Sequence, residues 1–147
     1  MEEVLVVQLA DSPDQRLLRT AKNHVAGTEN EILLCRIVDE KQFQNNLQRQ
    51  AKSDRQVESI DEMETIATTE ANEIAKDAFG DDVPYKVMGV VGTIPDDVVQ
   101  IAEEENCEHV FVSGKKRSPA GKAVFGDVAQ SIILQFDGPV TVTTQSV

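Results

Sequence analysis

Five short apolar runs punctuate this chain, and a helix-like stretch or a long connection separates each from the next. They occupy residues 4–9, 32–38, 83–91, 109–113 and 140–144. The first, VLVVQL, is interrupted by Gln8 alone. A short, nearly continuous apolar run bounded by turn residues is the pattern of a strand covered on both faces. This alternation restricts the fold more than any other feature, because parallel strands need crossovers and helices supply them.

The intervening stretches carry helix signals. In Ser12-Pro13-Asp14-Gln15, Ser12 reads as a cap, Pro13 suits the first helical position and Gln15 completes a capping box. Leu17, Leu18, Ala21 and Val25 then share one face, and Gly27 ends the helix. Ser59 and Glu62 form a second box, opening a helix striped by Ile60, Met63, Ala67, Ile74 and Ala78 and ended by Gly80. Pro95 opens a short helix with Val98, Val99 and Ala102 inward. Asp127 and Gln130 make a third box before Val128, Ile132, Ile133 and Phe136, and Asp137-Gly138-Pro139 turns the chain into the last run. Residues 39–58 differ: rich in Gln and Asn, with Phe43, Leu47 and Ala51 as a thin stripe, they read as a marginal helix or a mobile excursion.

The predicted order is β-α-β-α-β-α-β-α-β. It implies an α/β fold with an open five-stranded parallel sheet and helices on both faces, Rossmann-like, in one domain over residues 1–147. In such sheets ligands sit beyond the carboxyl ends of the strands, where strand order reverses.

Composition narrows the function classes. Only 4% of residues are aromatic and none is Trp, so the core is aliphatic. Cys35 and Cys107 fall in core elements and read as small buried hydrophobes. Cys107 and His109 have C-x-H spacing without a second ligand pair nearby, which argues against zinc. His24 falls on an outer helix face and His109 in a strand. The net charge of −12 argues against nucleic-acid binding, which wants a basic face. No apolar run reaches the roughly 18–20 residues of a membrane span. The opening MEEVLVV places acids where a signal peptide carries bases, so a cytoplasmic location is expected.

The charge is unevenly spread. Between Gly114 and Gly126 lie Lys115, Lys116, Arg117 and Lys122 and no acid, on a chain that is otherwise strongly acidic. Glycines allow close backbone approach, the following helix N-terminus favours anions, and the bases add charge. These are the parts of a phosphate cradle. The segment is not a P-loop, since no G-K-[ST] follows a glycine at the required spacing, and no G-x-G-x-x-G follows the first strand.

Here the chain resembles the universal stress protein family. The resemblance rests on the order of elements, on Pro95 early in the third helix, on the closing P-V-x-V at Pro139 to Val142, and on the glycine-bounded segment after the fourth strand. Nucleotide-binding members carry G-x2-G-x9-G-[ST] there. This chain keeps the outer glycines as Gly114 and Gly126, has Arg117 at the second glycine position, is one residue shorter between the outer pair, and ends on Asp127. The segment is similar to a variant from salt-loving archaea, in keeping with the acidic composition.

The resemblance implies a stress-response regulatory module that binds ATP or another adenine nucleotide, with Mg. Its contacts would fall at Leu9, Ala10 and Asp11, at backbone near Val38, and along Ser113, Gly114, Arg117, Gly121, Lys122, Gly126, Asp127 and Val128. Family members with an adenine-contacting Asp carry it where Leu9 stands here. Asp127 reads three ways: a helix cap paired with Gln130, a Mg²⁺ contact, or a carboxylate that blocks the anion site. The last leads to an alternative function, a regulatory or interaction protein that binds no nucleotide. A slow ATPase, with Asp11 as the candidate residue, is a third reading. The resemblance also implies a homodimer through the last strand, from Val140 to Thr144.

Overall fold

The computed structural model describes residues 2–10, 12–41, 59–114 and 127–144, with the side chain of Asp127 excluded. Residues 42–58, Asp11 and the basic segment 115–126 lie outside the described residues. The elements are β1 (Glu3–Gln8), α1 (Gln15–Val25), β2 (Glu31–Asp39), α2 (Ile60–Phe79), β3 (Tyr85–Gly92), α3 (Asp96–Glu104), β4 (Cys107–Ser113), α4 (Asp127–Gln135) and β5 (Val140–Thr143). All strand pairs are parallel, in the order β3-β2-β1-β4-β5. The sheet is thus the Rossmann-like α/β arrangement that the alternation predicts.

Alternate residues of each inner strand feed two cores. Val4 and Val6 of β1, with Ile32 and Leu34 of β2, pack against Leu17, Leu18, Ala21 and Val25 of α1 and Ala71, Ala75 and Phe79 of α2. Leu5 and Val7, with Leu33, Cys35 and Ile37, pack against Val98, Val99, Ile101 and Ala102 of α3 and Ala129 and Ile132 of α4. Burial on both faces explains why these strands read as unbroken apolar runs. Both cysteines are buried free thiols, and burial pushes each up to about 12.

Three local expectations need correction. First, α1 is capped by Asp14, not Ser12: its carboxylate accepts from the N–H of Arg16 (3.0 Å) and Leu17 (3.2 Å), and the helix begins at Gln15. An ionised acceptor binds helix N–H groups more strongly than a hydroxyl does. Second, the buried line of α2 is Ala67, Ala71, Ala75 and Phe79, while Ile60 is 47% exposed. Small residues let α2 lie almost on β3. A Cβ at Gly89 would stand 2.2 Å from the Thr68 nitrogen, so Gly89 has to be a glycine. Third, α4 turns Ala129 and Ile132 inward and leaves Ile133 46% exposed. The cap at Ser59 forms as read, accepting from Glu62 N–H at 3.1 Å.

Candidate functional site

Strand order reverses at β1, whose neighbours are β2 on one side and β4 on the other. At the carboxyl ends of β1 and β4 lies a pocket of ≈ 260 Å³, lined by Val7, Gln8, Leu9, Ala10, Ser12, Asp14, Ser113 and Gly114. This is where an open parallel sheet leaves a crevice, because the connections from the two strands depart in opposite directions.

One wall is the turn from β1 into α1. Gln8, 3% exposed, donates its side-chain amide to the carbonyls of Ala10 (2.5 Å) and Ser12 (3.0 Å). The guanidinium of Arg36, its register partner on β2, donates to the carbonyls of Leu9 (2.8 Å) and Ile37 (3.0 Å) and to the Glu70 carboxylate (3.1 Å). Buried polar groups on central strands are tolerated when paired in this way.

The floor is built by Asp14. Beyond capping α1, it accepts from the hydroxyls of Ser113 (2.7 Å) and Thr143 (2.9 Å). Burial pushes its carboxyl up, but the bonds from Ser113, Thr143, Leu17 and Arg16 together hold it below the ordinary aspartate range. A carboxylate with four donors is a poor proton acceptor, so the Asp14–Ser113 contact is a brace, not a nucleophile with its base. Beside it, Arg16 Nη1 donates to the Thr144 carbonyl (3.0 Å), and Gly114 N–H donates to the Thr143 carbonyl (2.6 Å). A Cβ at Gly114 would come within 2.8 Å of Val142 Cγ1. The Val142 side chain would have to shift for any larger residue, so contact with β5 favours the glycine whether or not a ligand approaches.

Of the sequence candidates, Leu9, Ala10, Ser113 and Gly114 meet at this pocket. Val38 sits near the end of β2, paired with Val91 of β3, and does not line it. Val128 packs half-buried against the core under α4, and the backbone of Asp127 starts that helix. Asp11, Arg117, Gly121, Lys122 and Gly126 lie outside the described residues. Sequence reasoning missed Gln8, Arg36 and Asp14 as site builders. The signal for the first two was present: each is a polar residue interrupting a buried strand.

At ≈ 260 Å³ the pocket falls just short of the roughly 300–1,000 Å³ of small-molecule sites. Val7, Leu9 and Ala10 give it an apolar wall, and Gln8, Ser12, Asp14 and Ser113 a polar side. Among the described residues no group of three or more His, Cys, Asp or Glu is placed to hold a metal ion. Among them, too, no helix is long and apolar enough to cross a membrane.

A model of the Universal stress protein family matches residues 1–144. No curated protein sequence matches. Solved structures share the fold at low identity. The hypothetical protein MJ0577 is 18% identical, with a TM-score of 0.70, over 98% of this chain and 96% of its own. The universal stress protein of Archaeoglobus fulgidus in complex with dAMP is 17% identical, with a TM-score of 0.55, over 97% and 96%. A universal stress protein family protein of Arabidopsis thaliana with AMP bound is 12% identical, with a TM-score of 0.57, over 99% and 92%.

Proposed function

The chain belongs to the universal stress protein family, and from that premise we propose that it is a regulatory module that binds an adenine nucleotide in the crevice between β1 and β4. The observation that carries this reading is the pocket at the reversal of strand order, which has an apolar wall and includes in its lining Gly114, the residue from which the basic segment continues in sequence. In this reading the base and ribose lie against Val7, Leu9 and Ala10, and Arg117 and Lys122, which follow Gly114 in sequence, supply the positive charge for the phosphates. That similar folds hold dAMP and AMP supports the choice of ligand. ATP adds phosphates at the end where Asp127 begins α4, and Mg²⁺ there would offset the negative charge of that residue. The acidic body fits a protein of high-salt cytoplasm, and β5 fits pairing with a second copy.

A second reading has its own observation. Asp14 already holds a negative charge at the pocket floor, and Asp127 adds another at the start of α4. Both disfavour a phosphate close by, which suits a regulatory protein that binds no nucleotide. Calorimetric titration with AMP and with ATP–Mg²⁺ in high salt separates the two. Saturable heat with a matching thermal shift supports the nucleotide reading. Silence in both assays at millimolar ligand leaves the second.

A further inference from the structure

Gln8 and Arg36 sit side by side on β1 and β2, at positions where the strands are otherwise aliphatic, and they are 3% and 5% exposed. Between them they take the carbonyls that β1 presents as it leaves the sheet. Gln8 holds those of Ala10 and Ser12, and Arg36 holds Leu9 at 2.8 Å and Gln8 at 3.4 Å. A buried guanidinium is retained only where acceptors surround it, since its desolvation is otherwise uncompensated. Arg36 has such acceptors in these carbonyls, in Ile37, and in the Glu70 carboxylate on α2.

We propose that Arg36 is a positioning residue of the pocket: by gripping the Gln8 and Leu9 carbonyls from behind, it fixes the course of the β1–α1 turn and hence the wall that Leu9 and Ala10 present to a ligand. Arg36 itself does not line the pocket, so it acts through Gln8 and Leu9, which do. Glu70 holds the guanidinium from α2, and the wall is thereby referenced to a helix on the α1/α2 face of the sheet. A planar fork that reaches several acceptors at once is something lysine cannot reproduce. The ligand part of this inference rests on the nucleotide reading above, whereas the geometric part does not.

The test uses the full chain as wild type, Arg36→Met, Arg36→Lys and Glu70→Gln, with two readouts. Backbone order parameters of Leu9, Ala10 and Ser12 should fall in Arg36→Met from rigid values of ~0.85 toward the values below ~0.6 of a flexible turn, while those of β4 and the far-ultraviolet spectrum stay unchanged. Affinity for AMP, measured well below the denaturation midpoint of each variant, should fall by about tenfold or more. Arg36→Lys should restore only part of both, and Glu70→Gln should lie between Arg36→Met and wild type. A folded Arg36→Met with wild-type order parameters at Leu9, Ala10 and Ser12 overturns the proposal, as does wild-type AMP affinity in that variant. Wild-type protein that ignores AMP sinks the nucleotide reading alone, and the order parameters still decide the role of Arg36. Should Arg36→Met fail to fold, Glu70→Gln, which keeps an acceptor for Arg36 Nε, carries the same two readouts.

Discussion

Asp14 and Ser113 stand 99 residues apart in sequence and 2.7 Å apart in space. Through that contact, and through Thr143 at 2.9 Å, the first turn of α1 is fastened to the ends of β4 and β5. One carboxylate caps a helix and closes the sheet at the same point. Replacing Asp14 by Ala should cost about 1 kcal/mol for the cap and about 1 kcal/mol more for each hydroxyl left without its acceptor. The expected total of about 2–3 kcal/mol lowers Tm by roughly 4–12 °C. Ser113→Ala alone should cost less than half of that. Denaturation of Asp14→Ala, Ser113→Ala and the double variant should show coupling, and strict additivity would show that the contact stabilises nothing.

The same carboxylate makes stability depend on acid. Its folded-state value is held below the ordinary range by hydrogen bonds that outweigh burial. The unfolded chain therefore takes up the proton first as pH falls. The stabilisation is fully present above the ordinary aspartate value and is lost as pH drops through the lower folded value, within about pH 5 to 2. Urea midpoints across that window should fall more steeply for wild type than for Asp14→Asn. Parallel curves would remove Asp14 from the acid response.

A second group lends stability that is likewise lost as pH falls, here because the folded state disfavours the charged form. His109 on β4 accepts burial against Phe111, with rings stacked at 4.3 Å, and meets the edge of His24 from α1 at 4.8 Å. Burial and the neighbouring His24 both push its ionisation below the ordinary histidine range. The unfolded chain again protonates first, so stability falls as pH drops through about 6.5 and levels off below the folded value. His109→Gln keeps a polar partner for Thr141, which lies 2.7 Å from His109 Nε2. That variant should lose less stability than wild type between pH 7.5 and 5.5, and an equal loss would assign the effect elsewhere.

What the sequence discloses and what it hides divide along a physical line. The order of strands and helices was legible because burial on both faces leaves strands such as Val4–Val7 without polar relief. Leu9, Ala10, Ser113 and Gly114 could be placed at the pocket because parallel topology sends the ends of β1 and β4 to one edge. Asp14 was passed over for Ser12 because both are good local caps, and what decides between them is hydroxyls 99 and 129 residues away. Arg36 and Gln8 were visible as interruptions, but their meaning lies in carbonyls that leave the ladder only in three dimensions. On α2 the predicted stripe through Ile60, Met63, Ala67, Ile74 and Ala78 shares only Ala67 with the buried line, because close approach to Gly89 selects alanine and leaves Ile60 outside.

The edge of the sheet at β5 predicts assembly. Val110 N–H donates to Pro139 and Gly114 N–H to Thr143, so odd-numbered carbonyls of this strand face β4. By the two-residue period, Val140 and Val142 direct their backbone groups outward. No charge or proline within Val140–Thr143 blunts that edge. We expect a two-fold dimer through β5 by size exclusion with light scattering. Val142→Pro removes an outward donor without touching the ladder to β4, and should give a folded monomer. A monomeric wild type at micromolar concentration would refute the pairing.

Asp127 provides the sharpest test of ligand choice. It begins α4, where free N–H groups and the helix dipole favour an anion, yet it brings a negative charge of its own. Two unit charges ~4 Å apart repel by roughly 1–4 kcal/mol between watery and surface-like surroundings, or about one to three decades of affinity. If a phosphate approaches this helix end, Asp127→Ser removes the repulsion and supplies a hydroxyl donor. ATP without metal should then bind about tenfold or more tightly than to wild type, while AMP, which ends nearer the pocket, should change less. If Asp127 instead holds Mg²⁺, the same substitution should weaken ATP–Mg²⁺ and leave metal-free ATP improved, a crossing that calorimetry with and without Mg²⁺ reads directly. Unchanged affinity in all three titrations would mean that the phosphates do not reach α4.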